Sequence, residues 1–132
     1  MSKNLSIVDL ENDLGGLQGL IGYYAKNGEL RLLFDFAYPT SLGYIEELQS
    51  KLEMLNMYDA VKAALAQSEA LARAGKYDEA EDVILEINRA LMRASGTWDK
   101  MVKRFPPKEG DEESKAPDLK SNLLSFEQGK KS

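Results

Sequence analysis

Asp78, Asp82 and Glu86 stand four residues apart, a spacing that puts three carboxylates on one face of a helix. Such oxygens could hold a hard cation, but a helix-spaced ladder needs ligands from a second element to close a site. The acids are therefore read as the solvated start of a helix, where negative charge meets the positive end of the helix dipole. The chain has neither histidine nor cysteine. That removes the commonest general base, the thiolate nucleophile and the nitrogen and sulfur metal ligands. Gly15, Gly16 and Gly19 neither follow a strand nor precede a Lys-Ser/Thr pair, so they form no phosphate loop. The expectation is a protein that is not an enzyme, with no catalytic residues, no metal and no cofactor.

Three groups of residues could instead bind a partner. Arg89, Arg93, Lys100, Lys103 and Arg104 fall within about 100° of one another on a continuous helix, and no acid follows Glu86 until Asp99 on that stretch. This stripe is a candidate contact for phosphate or for an acidic partner, although no aromatic residues interleave it for base stacking. Gly15, Gly19 and Gly22 share one helical face, the small-residue spacing that lets two helix backbones approach closely. They are a candidate homo-oligomer contact, with close internal packing or a hairpin as the competing readings. Leu119, Leu123, Leu124 and Phe126 form an apolar cluster in a polar, proline-marked segment. They are read as a docking element for another protein.

The elements that would position these residues follow from periodicity. Ile7, Leu10, Leu14, Leu17, Ile21 and Tyr24 keep an unbroken three-four spacing, which predicts an amphipathic helix capped by Ser6 with Asp9 in its first turn. The objection is its glycines, each costing about 1 kcal/mol against alanine in a helix interior. Asn27-Gly28 supports a competing β-hairpin over about 19–36, which would pair Ala25 with Leu30, Tyr23 with Leu32 and Ile21 with Phe34. Pro39-Thr40-Ser41 predicts a new helix start capped by Ser41, with Ile45, Leu48, Leu52 and Leu55 buried. Met54, Tyr58, Val61, Leu65 and Ala72 form a second stripe at a different angle, so the helix breaks near Asn56 or its halves face different neighbours. Gly75 is expected as a left-handed stop. Asp78 with Glu81 reads as a capping box that opens one helix of about 28 residues, roughly 42 Å long, ended by Pro106-Pro107. Its buried stripe runs from Ala80 and Ile84 through Leu91 and Ala94 to Trp98, Met101 and Phe105.

Together these readings give a mainly α fold: a small antiparallel bundle of three to four helices over residues 1–105, with a flexible, polar C-terminal tail over 106–132. The alternative is α+β with the hairpin. With 17 basic against 22 acidic residues the net charge is −5, which weighs against nucleic acid as the main partner. Asp9, Glu11 and Asp13 interrupt any apolar leader core, and the uncharged run from Leu14 to Ala25 is too short to span a bilayer, so no membrane partner is expected. The expected role is a cytoplasmic adaptor, assembly chaperone or inhibitor that binds another protein. The alternative is a helical subunit of a nucleoprotein complex.

Overall fold

Every described element is helical, and the reason lies in how each helix is stopped. The computed structural model describes residues 5–104, and the chain divides into two units, Met1–Trp98 and Asp99–Ser132. The apolar cluster at Leu119, Leu123, Leu124 and Phe126 lies outside the described residues.

Helix α1 spans Ile7–Asn27 and opens with a complete capping box, the Ser6 side chain on the Asp9 N–H and the Asp9 carboxylate on the Ser6 N–H. It ends at Gly28, whose φ of 71° is left-handed. There the Glu29 N–H reaches back to the Tyr24 carbonyl at 2.9 Å, the closing bond of a Schellman motif. The hairpin expected over 19–36 is thus overturned: among the described residues there is no strand, and Leu30 resumes a helix. Asn-Gly serves a two-residue turn and a helix stop equally well, since both need positive φ.

The stretch after Gly28 is one helical path with a fault in it. Helix α2, Leu30–Leu32, runs into a π-helical turn, Leu33–Ala37, and then into α3, Tyr38–Glu47. The Tyr38 N–H bonds to the Leu33 carbonyl, five residues back. Pro39 has no N–H and crowds the carbonyl four residues before it, so a regular α-helix cannot run through this point undisturbed. The wider turn absorbs the mismatch and puts both Leu33 and Tyr38, five apart, in the core. Ser41 is therefore not a cap as expected. It is buried on α3, and its hydroxyl donates to Asp13 Oδ2 on α1 at 2.5 Å.

A short helix α4, Gln49–Met54, stops at Asn56, the one described non-glycine residue with positive φ. The break expected there is present, and Met54, expected in the core, is 85 % exposed. Helix α5, Tyr58–Arg73, ends in a second glycine-centred Schellman motif at Gly75, as expected, and α6, Tyr77–Ser95, folds back against α5. The expected Asp78 cap is not made: α6 starts at Tyr77 without a side-chain cap, and Glu81 turns toward α1 instead. Gly96, at φ 90°, ends α6, and α7, Thr97–Arg104, follows. The single long helix is thus interrupted. Ala94 and Met101, expected on its buried stripe, are exposed, and Trp98 is only half-buried, with the Arg93 guanidinium carbon 4.8 Å from its ring centre.

Helix α6 packs against both α1 and α5. Contacts of Glu11 with Ser95, and of Gly22 with Glu81, run in opposite senses along the two helices, so α1 and α6 are antiparallel. The core draws Leu10, Leu14, Leu17 and Ile21 from α1, Leu33 from the π turn, Tyr38 and Ile45 from α3, Leu52 from α4, Val61 and Leu65 from α5, and Ile84 and Leu91 from α6. Inside it, Ser68 on α5 donates to the Ala80 carbonyl of α6 at 2.8 Å, and its oxygen lies 2.8 Å from the Tyr38 hydroxyl of α3. A serine has one hydroxyl hydrogen, and a carbonyl can only accept. Tyr38 must therefore donate to Ser68, and one hydroxyl joins three helices.

Ser68→Ala removes the acceptor of one buried group and the donor to another, and should cost about 1–3 kcal/mol in chemical denaturation; Tyr38→Phe should cost about 1 kcal/mol. The double variant should cost less than the two together. A neutral Ser68→Ala would show that the bridge contributes nothing. Among the glycines, Gly16→Ala should raise stability by about 1 kcal/mol, because nothing lies within 4 Å of the added carbon, whereas Gly28→Ala should lower it by about 1–2 kcal/mol at a left-handed position. Thermal melts followed by circular dichroism separate the two signs.

Candidate functional site

Among the described residues, a concavity lies between α1 and the segment from α2 to α3. It has a volume of about 420 Å³ and is lined by Asp13, Gly16, Leu17, Leu20 and Tyr24 on one side and by Leu32, Phe36, Ala37, Thr40 and Ser41 on the other. Two local features of the sequence make it. Leu17 turns into the core, so the neighbouring positions 16 and 20 look outward along the groove. On the opposite wall the π turn places Leu33 and Tyr38 inside and leaves Phe36 61 % exposed. Gly16 and Gly19 have no atom within 4 Å of the place a Cβ would take. Neither glycine is required by the chain's own packing, and each weakens α1 by about 1 kcal/mol.

Asp13 is the one charged residue among those lining the groove. Burial holds its carboxyl above the ordinary range, and the Ser41 hydroxyl offsets part of that shift. No lysine or arginine lies within ion-pair distance of it among the described residues. The groove thus pairs apolar and aromatic walls with an uncompensated negative charge at one end.

The residues singled out in the sequence fall elsewhere. Arg89 and Arg93 lie on α6, half-buried and exposed respectively, while Lys100, Lys103 and Arg104 follow the break at Gly96 on α7. Gly22 is taken up within the chain: a Cβ there would stand 2.5 Å from Glu81 Oε2 of α6. Gly15 is close to Asn88, and only Gly19 of that trio stands open. Asp78, Asp82 and Glu86 share the outer side of α6, and no group of three metal-ligating side chains gathers among the described residues. No helix of the described residues is long and apolar enough to cross a membrane.

A second polar cluster lies where α1 meets the end of α6. Glu11 is only 4 % exposed. Its Oε2 accepts from the Ser95 hydroxyl at 2.7 Å, and its backbone carbonyl accepts from Asn88 Nδ2 at 3.0 Å. Thr97 Oγ1 lies 2.9 Å from Ser95 Oγ. Glu11 Oε1 and Asn88 Oδ1 have no donor among the described residues. The cluster fixes the α1–α6 register.

The acids of α6 carry a pH signature. Burial, followed by repulsion from Asp78 and Glu79, raises the Asp82 carboxyl; burial and then Asp82 raise Glu86. A raised folded value means that the folded state binds protons more readily, so stability rises as pH falls from above that value toward the unfolded one. Asp82→Asn should therefore raise the melting temperature at pH 7, with the gain shrinking as pH approaches 4. Glu46 has the opposite sign. Hydrogen bonds from Lys62 and Tyr58 lower its carboxyl, so Glu46→Gln should lower the melting temperature at pH 7 and become neutral once acid protonates the wild type. Melting curves from about pH 2 to 8 check both, and equal pH profiles for the three proteins would contradict the assignment.

No protein-family profile, curated protein or solved structure matches this chain.

Proposed function

We propose that this chain is a small helical bundle that acts as a non-enzymatic protein-interaction protein, an adaptor, assembly chaperone or inhibitor, and that its working surface is the groove between α1 and α3. The observation that carries the reading is the coincidence of Phe36, 61 % exposed, with an open glycine floor along the same 420 Å³ groove. Exposed aromatic side chains beside a concave apolar surface are the usual anchors of a protein contact. Leu119, Leu123, Leu124 and Phe126 add a candidate second docking element, supported by their sequence pattern alone.

The nucleoprotein alternative draws less support. Its basic stripe presumes one helix from residue 78 to 105, and Gly96 interrupts that helix. Arg93 lies over Trp98, and Arg89 is partly buried.

Tagged wild-type chain, recovered from native lysate with and without nuclease, should retain the same proteins in both cases. Phe36→Ser should lose them while melting within a few degrees of wild type, since Phe36 is outside the core. Deletion of residues 106–132 should weaken retention without abolishing it. Retention that disappears with nuclease, or that is indifferent to Phe36→Ser, would overturn the reading.

A further inference from the structure

The groove is long, open and charged at one end, and these three properties restrict what can fill it. From Asp13 to Tyr24 its α1 wall covers eleven residue steps, about 16 Å at 1.5 Å per residue, the length of three helical turns. Its floor is bare backbone at Gly16, where no heavy atom stands within 4 Å of an added Cβ. Bare helix backbone allows another helix to approach more closely than a side-chain-covered one does. At the end of this wall stands Asp13, with Ser41 donating to Oδ2 and no basic side chain within ion-pair distance among the described residues.

We infer that the occupant is a helical segment of a partner protein, laying an apolar face along α1 and setting a lysine or arginine against Asp13. The inference rests on the protein-interaction reading above and adds the chemistry of the partner. A purely apolar segment would cover Asp13 and strip its water without supplying a counter-charge, and an acidic one would add repulsion. A segment with anchors at i, i+4 and i+7 covers about two turns, and a basic residue one turn beyond them extends the contact to about three and completes the pairing.

The test uses isotope-labelled full-length chain and three synthetic helical peptides of eighteen residues. They share one leucine stripe at i, i+4 and i+7 and differ only in a terminal Lys, Gln or Glu. In amide spectra the Lys peptide should shift Gly16, Leu20, Phe36 and Ala37, and should bind about tenfold tighter than the Gln peptide, with the Glu peptide weakest. Asp13→Asn should level the three affinities while leaving the shifted amides the same. Gly16→Leu, a substitution at an exposed and uncrowded helical position, should abolish binding of all three. Equal affinities in wild type, or a preference for Lys that survives Asp13→Asn, would overturn the charge assignment and leave the protein-interaction reading standing. Absence of binding by every peptide would overturn both. Groove shifts that appear on concentrating the protein alone would replace the partner helix with a second copy of this chain.

Discussion

The Ser68 hydroxyl is the constraint on which the arrangement of helices depends. Apolar packing brings α3, α5 and α6 together but would tolerate sliding, because contact between aliphatic side chains has little direction. A buried hydroxyl with one hydrogen and two lone pairs does have direction. Ser68 donates to the Ala80 carbonyl and accepts from Tyr38, so the three helices share one register at that level. The Tyr38 hydroxyl is held above its ordinary titration range chiefly by this burial. At the outer edge, the Glu46–Lys62 pair at 2.8 Å and the Tyr58 hydroxyl on Glu46 clasp α3 to α5 again. Being solvent-exposed, that clasp stabilises far less than the buried bridge.

The same register creates the groove. Tyr38 reaches Ser68 only because the π turn inserts one residue between it and Leu33, and that extra residue rotates Phe36 out of the core. Structure and exposed surface are thus consequences of one backbone irregularity next to Pro39. On the facing helix, Leu17 anchors α1 in the core, and Gly16 beside it keeps the outer wall low. Asp13, bonded to Ser41 across the end of the groove, fixes the separation of the two walls and leaves a negative charge there.

How much of this was legible in the sequence depends on whether a residue's role is set locally. The α1 stripe, its Ser6 cap and the left-handed stop at Gly75 are local matters of spacing and backbone sterics, and the reading of them matches the structure. Asn27-Gly28 was ambiguous because a hairpin turn and a helix stop both require positive φ. Packing of α1 against α6, fifty residues and more away, accompanies the helical outcome. The long helix to Phe105 failed at Gly96 because an apolar stripe can pass through a glycine without showing that the backbone turns there. Trp98 was misplaced with it. The groove was missed because Leu20, Leu32 and Phe36 lie off the core stripes. Apolar residues left over after the stripes are assigned were the signal available for it.

The central claim, that the face between α1 and α3 is the working surface, is tested most directly by hydrogen exchange on the chain free and in the complex isolated from its native source. The account predicts added protection of amides over residues 13–24 and 32–41, with α5 and the outer side of α6 exchanging as in the free chain. Protection confined to α5 and α6, with residues 13–24 and 32–41 unchanged, would contradict it.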